Sequence, residues 1–503
     1  MKKAIVLILL LCFAVSCFAA CETSEIGSDA SADSNDSGSN VSKSENSKSD
    51  KGEYSEYINA DGNYVPKHEV KDLNGRTFTI IVRGEIAGTY QSEDFTTNST
   101  LYGDLLNDAV QKRNDAVENI YNVVLDVVKS DTINNDILLD CKSNLGSYDA
   151  IMPTLKSLSS LASQEYLYDL KSLGSFDPNA PWYDKNCSDA FSISDQLYFT
   201  TGDITILNKV NSPSILFNKE MAKKYFPETD FYQLARDKQW TFDKLVECAK
   251  KVADISAADG GYSDDNQYGM VSSYSDPFNF YGASGELICG KDSDNLPVLQ
   301  LGKTERSINL SKRLLEEFAN ANWLLYAEEC EKPIWETSFA VFYEGRALFR
   351  PSGFSATTKL RKLSEIEFGV LPMPLMDDTQ EKYNSYCTTG ETAGIAIPVC
   401  APDPEFSAYM IEAYSAWAKN TITVAYYEVN LRYKDLRDDE SEEMLDIIFD
   451  NIVYDIGECY NFGEYVTMFY NLTKERKSDV ASGIATNKEK AENQIKQLIE
   501  TYA

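Results

Sequence analysis

From residue 77 to residue 153 short apolar runs alternate with stretches of helical periodicity, and that alternation limits the fold more than any other feature. Thr77 to Val82, Val123 to Val128 and Tyr148 to Met152 are runs rich in β-branched and aromatic residues, which suit a pleated, buried strand. Between them, Asp104 to Tyr121 places Leu106, Val110, Val117 and Ile120-Tyr121 on one side of a helix, and a second helical stretch passes through Ile137, Leu138 and Cys141. Strands separated by helices predict a parallel sheet with right-handed crossovers. In such sheets ligands gather at the carboxyl ends of the strands, which here carry Arg83-Gly84-Glu85 and Pro153-Thr154.

The pattern resumes further on with different partners. Ser214 to Phe217 reads as a strand leading into a helix over Lys219 to Tyr225. Thr241 can cap a helix whose buried stripe is Leu245, Ala249 and Val252, and Asp243 puts a negative charge in its first turn. A longer helix carries Leu310, Leu314, Leu315 and Phe318, and a short one, Phe339 to Tyr343, ends at Gly345. Ala347 to Phe349, Phe368 to Leu371 and Gly394 to Pro398 read as buried strands. Asp403-Pro404-Glu405 is a helix start with a cap and a proline at the first position, Ser441 opens a further helix, and Asn487 to Tyr502 is amphipathic. The chain shows no internal repeat, and the two halves predict two α/β lobes in one continuous chain.

The amino terminus fixes the compartment. Met1-Lys2-Lys3, an apolar run from Ala4 to Val15, and Ala19-Ala20-Cys21 are the three regions of a secretory signal. The run of about 12 residues is short of the ~20 that a membrane-spanning helix needs. A cysteine directly after small residues is the acceptor that a lipoprotein signal requires. Cys17 competes with Cys21 for that role, and Ala19-Ala20 presents less bulk to the peptidase than Val15-Ser16. Residues 22–56 are dominated by Ser, Asp, Glu, Asn, Gly and Lys, too polar to offset the entropy of ordering, and read as a solvated tether.

Charge and composition exclude several classes. The net charge of −32 argues against nucleic acid, which needs a basic footprint, and against docking on anionic lipid headgroups. Of the 11 cysteines, eight lie in the body, at 141, 187, 248, 289, 330, 387, 400 and 459, and none forms a C-x-x-C pair, so neither a metal ribbon nor a redox motif is expected. Disulfides are open to these cysteines outside the cell, with no pairing legible in the sequence. The single histidine, His68, lies at the end of the tether, which argues against a Ser-His-Asp hydrolase and a His-ligated metal centre. With 79 Asp plus Glu residues, paired carboxylates carry no signal for a glycosidase.

Six local segments resemble those of the extracellular solute-binding proteins of bacterial ABC importers, closest to the sugar-binding, maltose-binding-protein-like family. They are Gly146-Ser147-Tyr148-Asp149-Ala150-Ile151; Ser214-Ile215-Leu216-Phe217-Asn218-Lys219-Glu220; Trp240-Thr241-Phe242-Asp243; Phe342-Tyr343-Glu344-Gly345-Arg346-Ala347-Leu348; Phe368-Gly369-Val370-Leu371-Pro372-Met373-Pro374; and Gly394-Ile395-Ala396-Ile397-Pro398 with Pro402-Asp403-Pro404-Glu405. Each is short, but all six stand in the family's order behind a lipoprotein signal. The resemblance implies an α/β, two-lobed periplasmic-binding-protein-like fold of type II, with a ligand cleft between lobes and a hinge. It divides the chain into a signal peptide over 1–20, a tether over 21–69, a first lobe over 70–205 plus 394–440, and a second over 206–393 plus 441–503. Crossing segments are expected near Ile206 to Asn211, Thr392 to Ile395 and Asp435 to Ser441. The stretches Ala180 to Asp203 and Tyr383 to Glu391 depart from the family.

Carried over by position, Phe354 in Pro351-Ser352-Gly353-Phe354 falls at a stacking aromatic of the second lobe, with Phe278 and Tyr281 near another. Trp182-Tyr183 and Trp335 are further aromatic candidates for a sugar face, set against the fact that most aromatics of a globular body are core. Asn211 stands where maltose-type binders carry an acidic ligand residue. Arg83 and Glu85 occupy the end of the first strand, where solvated loop charges are the competing reading. The expected role is therefore a non-enzymatic, lipid-anchored (Cys21) binding protein on the extracellular face of the cytoplasmic membrane. It would be a monomer that needs no cofactor and hands a carbohydrate, an oligosaccharide foremost, to the transmembrane subunits of an ABC permease. A surface glycan-active enzyme and a sensing or adhesion domain are the alternatives.

Overall fold

A computed structural model describes residues 52–97, 104–255, 266–330, 333–363, 366–426 and 439–502. The signal, both candidate lipidation cysteines and most of the tether lie outside the described residues, as does most of the third crossing segment. The compact unit begins at Tyr54. Residues 54–69, placed in the tether by the domain division, pack on the body. Tyr57 is buried and its hydroxyl donates to Asp177 Oδ2 at 2.7 Å, and the His68 ring stacks on Tyr409 at 3.9 Å. Two aromatic side chains were enough to dock a segment whose average composition is polar.

The first sheet has three strands, β1 (Arg76–Arg83), β2 (Val123–Ser130) and β3 (Ala150–Met152), in the order β2-β1-β3. Both pairings are parallel, with Arg76 opposite Val123 at one end, Arg83 opposite Ser130 at the other, and Ile80 opposite Ala150. The crossover between β1 and β2 is the helix Asp104–Tyr121, and that between β2 and β3 is the helix Ile133–Ser143. Predicted and observed elements agree here because each strand is a continuous apolar run and each helix shows one clean stripe.

The second sheet has five strands: β4 (Pro213–Asn218), β5 (Tyr268–Ser272), β6 (Leu324–Tyr326), β7 (Ala347–Gly353) and β8 (Phe368–Leu371), in the order β8-β4-β7-β5-β6. It is mixed rather than parallel throughout. β4 runs antiparallel to both β8 and β7, whereas β5 is parallel to β7 and β6. Trp240 is the anchor of this lobe, fully buried, with its indole Nε1 donating to the Pro372 carbonyl at 2.9 Å and its ring against Phe231 and Phe349. Burying an aromatic of this size with its one donor satisfied contributes heavily to a core.

Three boundaries differ from expectation. Gly394 to Pro398 forms isolated antiparallel bridges, Ala393 with Thr154, Ile395 with Thr200, Ala396 with Ile151 and Pro398 with Leu167, and not a regular strand. A proline without an N–H and a switch of partner from one residue to the next prevent a ladder. The helix expected to open at Ser441 spans Asp439–Phe449, and Ser441 serves inside it, its hydroxyl meeting that of Tyr232 at 2.7 Å. The carboxy-terminal helix begins at Val480, with the Asp479 side chain accepting from Ser482 N–H at 3.2 Å. Among the described residues no helix is long and apolar enough to cross a membrane.

Candidate functional site

A cavity of about 500 Å³ opens at the carboxyl ends of β1, β2 and β3. Arg83 and Gly84 come from the end of β1, Ser130 and Asp131 from the end of β2, and Thr154 and Lys156 from the turn after β3. The strand ends approach so closely that a Cβ on Gly84 would lie 2.7 Å from the Ser130 carbonyl carbon, so only glycine fits. Gly84 N–H donates to Ser130 O at 2.8 Å, and Asp131 Oδ1 accepts from Ile86 N–H at 2.8 Å, which fixes the chain leaving β1.

Two helices begin at this cavity. Thr154 caps the helix Leu155–Ala162 through Ser157 N–H at 3.1 Å, and the helix Ile133–Ser143 starts beside Asn134. Their amino termini place partial positive charge at the rim. The Arg83 guanidinium, largely buried, donates to the Glu391 carbonyl at 2.7 Å and to its carboxylate at 3.3 Å. The walls therefore present hydroxyls, amide groups, a carboxylate and two cations around a recess the size of a small ligand.

The segments expected to cross between lobes meet behind this recess. Asn211 is buried, and its amide donates to Thr388 O at 3.0 Å and to Thr392 Oγ1 at 3.2 Å. Its donors thus fasten one crossing segment to the other. The loop 383–391, which matched no family segment, is tied down from both sides. Lys156 N–H donates to Thr389 O at 3.1 Å, and the Thr389 hydroxyl donates to Glu458, whose carboxyl is pushed up to about 7 by burial. Short pairing of Ser385–Tyr386 with Ile452–Val453 completes the clamp.

The two sheets are linked by a contact from Tyr90, in the 3₁₀ segment after β1, to Ser355, at the start of the helix after β7. Their hydroxyl oxygens are 3.3 Å apart. Burial raises the Tyr90 phenol above its ordinary value, which keeps it protonated and able to donate. Beneath this seam lies Arg350, 8% exposed, in the middle of β7.

The other sequence candidates sit as follows. Glu85 is exposed at the mouth. Trp335 is 58% exposed on the helix Ile334–Tyr343, with the Lys359 ammonium 5.5 Å from its ring centroid. Phe354 is buried, its ring 5.0 Å from that of Phe449. Phe278 and Tyr281 are buried against Phe469, and the Tyr281 hydroxyl is paired with Ser307 at 2.9 Å. Trp182 is buried edge-on to Tyr57, and Tyr183 donates to Glu412 Oε1 at 2.8 Å under the helix Pro404–Asn420. The structure thus brings Arg83 to the cavity wall and Asn211 to the crossing behind it, leaves Glu85 and Trp335 open to solvent, and encloses the five remaining aromatics in packing. Sequence reasoning missed Asp131, Lys156, Tyr90 and Arg350. The first two follow strand ends and were findable by the rule that located Arg83, whereas Tyr90 and Arg350 carried no local signal.

No family model matches the sequence, and no match to a curated protein is found. Among solved structures the chain is similar to UspC of M. tuberculosis, with a TM-score of 0.53 and 13% identity over 83% of this chain and 100% of that one. It is similar to a cyclo/maltodextrin-binding protein complexed with maltotetraose, with a TM-score of 0.52 and 13% identity over 85% of this chain and 97% of that one. The GacH receptor of Streptomyces glaucescens, solved unliganded and with acarbose, gives a TM-score of 0.50 and 12% identity over 85% and 97%. The likeness extends along nearly the whole of each of those chains, and the fold is the two-lobed α/β fold of maltose-binding-protein-like solute-binding proteins.

Proposed function

We propose that this protein is the solute-binding component of an ABC importer. It captures a carbohydrate, an oligosaccharide foremost, between its lobes and presents it to the transmembrane subunits of a permease. The observation that carries the reading is the polar recess at the carboxyl ends of β1, β2 and β3, walled on one side by Gly390 of the loop that Asn211 and Thr389 tie down. The cyclo/maltodextrin-binding protein was solved with maltotetraose and the GacH receptor with acarbose, which supports a sugar here. Hydroxyl groups of a sugar suit the mixed donors and acceptors of Ser130, Asp131, Thr154 and Lys156. No turnover belongs to this role.

The lobe boundaries remain 70–205 with 394–440 and 206–393 with 441–503. Support comes from the helix Pro404–Asn420 packing on Asp104–Tyr121 of the first lobe, and from Val480–Thr501 packing on Glu305–Ala319 of the second. The mature chain starts at Cys21, whose lipid holds it to the outer face of the cytoplasmic membrane as a monomer. Thermal-shift screening of the purified body against an oligosaccharide library tests the reading. Ligands that bind the folded state alone raise the midpoint by mass action. A library of neutral and acidic sugars that leaves the midpoint unmoved throughout sinks it.

A further inference from the structure

Arg350 is in an arrangement that the fold alone does not explain. The residue is 8% exposed, and its Nη2 donates to Ser338 Oγ at 3.2 Å, but among the described residues Nε and Nη1 have no hydrogen-bond partner. The guanidinium also lies over the Phe339 ring, whose centroid is 4.2 Å away. Among the described residues Arg350 makes no ion pair. Asp276 is the one carboxylate that acts on it, at longer range. Both Asp276 oxygens are already taken, by Ser272 Oγ at 2.7 Å, Ser273 N–H at 2.8 Å and Asn279 Nδ2 at 3.3 Å.

A second cation makes the imbalance worse. Burial lowers the Lys359 pKa and the nearby Arg350 charge lowers it further, and the Lys359 ammonium stands 5.5 Å from the Trp335 ring. In a chain with a net charge of −32, acidic side chains are abundant, yet among the described residues none makes an ion pair with either cation. An unpaired charge held away from water is costly, and a guanidinium cannot shed its proton to escape that cost. A neutral hydroxyl would satisfy the free N–H groups and leave the charge. An anionic oxygen would satisfy both, through the stronger, charge-assisted kind of hydrogen bond.

The position fits a ligand subsite. β7 carries Arg350 toward Ser355, which meets Tyr90 of the first lobe, so the guanidinium lies under the seam where the lobes close. The exposed Trp335 ring, one turn before Ser338, offers a flat face next to the cations.

We propose that Arg350 and Lys359, with Trp335 as the stacking face, form a subsite for the carboxylate of an acidic sugar, and that the natural ligand is a uronate-containing oligosaccharide. This rests on the carbohydrate-capture reading and names its substrate class.

The test is calorimetric titration of the full mature chain with matched trimers: α-1,4-galacturonate against galactose, β-1,4-glucuronate against glucose, and β-1,4-mannuronate against mannose. At least one uronate is expected to bind about 10- to 100-fold tighter than its neutral partner, the scale of a hydrogen bond to a charged group. Arg350→Gln is expected to bring that ratio to within about threefold of one, and Arg350→Lys to restore part of it. The wild-type ratio decides the matter even if Arg350→Gln fails to fold. Neutral trimers binding as well as or better than uronates overturn this proposal and leave the carbohydrate reading standing. A uronate preference that survives in folded Arg350→Gln also overturns it. Binding of neither class overturns both.

Discussion

The phenol of Tyr90 and the hydroxyl of Ser355 meet at 3.3 Å, and they link the segment after β1 of the first sheet to the segment after β7 of the second. Tyr90 ends the short segment that leaves β1 over the cavity, and Ser355 opens the helix that leaves β7. A hinge that closes two lobes needs contacts made in one state and lost in the other. A contact made only on closure would favour the closed state by the net contribution of one hydrogen bond, about 0.5–1.5 kcal/mol.

Tyr90→Phe is therefore expected to shift the ligand-free protein toward the open state. Small-angle scattering should give a larger radius of gyration for the variant than for the parent. Equal radii would mean that the pair contributes nothing to closure.

Stability should fall with rising pH because of Glu412. Burial pushes its carboxyl up to about 8, while Oε1 accepts from Asp177 N–H at 3.0 Å and from the Tyr183 hydroxyl at 2.8 Å. The folded state then holds a proton that the unfolded state, with an ordinary carboxyl near 4.5, releases. Its stabilising effect is complete below about pH 4.5 and is lost as pH rises toward 8, with a slope of up to about 1.4 kcal/mol per pH unit. Asp177, in contact through its backbone, adds a like charge that works in the same direction. In Glu412→Gln the amide oxygen can accept both bonds and nothing titrates. Melting curves from pH 5 to 8 should show a flatter profile for the variant, and parallel profiles would remove Glu412 as a cause.

How much of this was legible beforehand depended on whether the physics was local. Asp104–Tyr121, Lys219–Tyr225 and Phe368–Leu371 lie where the sequence predicts them, since each carries its own stripe, cap or apolar run. β5 was missed because Gly269 interrupts it. That glycine is required where a Cβ would run into the backbone of Ala249, and the same residue weakens the strand signal. At the site, Arg83 was found because strand ends gather ligands, a rule of topology. Arg350 was not singled out, because the lack of a partner for a buried guanidinium is a tertiary property. The aromatics were the hardest to place. A phenylalanine in a cleft wall and one in a core are the same residue, and only packing separates them.

Phe354 illustrates the point and gives a direct measurement. Its ring is buried against Phe449, from the helix Asp439–Phe449. Phe354→Ala is expected to cost about 3–5 kcal/mol of stability, the scale for a core phenylalanine. A denaturant melt of the ligand-free protein checks it. A variant with unchanged stability but weakened sugar binding would return Phe354 to the cleft wall.

The anchor is tested in cells. Cys21→Ser should move the protein from the membrane fraction to the medium, since a lipid-bearing cysteine carrying two acyl chains is enough for stable attachment. Retention of Cys21→Ser together with release of Cys17→Ser would transfer the role to Cys17.

Cys141 and Cys400 give the last prediction. Their sulfurs are 3.7 Å apart, Cys141 near the end of the helix Ile133–Ser143 and Cys400 just beyond the bridged segment 393–398. A small approach would bring them to the ~2.05 Å of a disulfide, and a protein outside the cytoplasm is exposed to oxidants that form one. The hydrogen bond between the two thiols lowers the pKa of Cys141 and raises that of Cys400. Cys141 is thus the attacking thiolate. With oxidised glutathione, Cys141 would displace one glutathione thiolate to give a mixed disulfide, and Cys400 would then displace the second while losing its proton. Both thiols are nearly enclosed, so the reaction should be slow in the native state and faster during refolding. The bond would tie the first sheet's helix to the crossing region across a long stretch of chain, for a gain of about 2–5 kcal/mol. Refolding with and without oxidised glutathione, followed by mass spectrometry of tryptic peptides, should show the 141–400 link and a higher melting temperature, both absent in Cys141→Ser. If both thiols remain open to alkylation after oxidative refolding, the pair is a packed contact between two buried thiols.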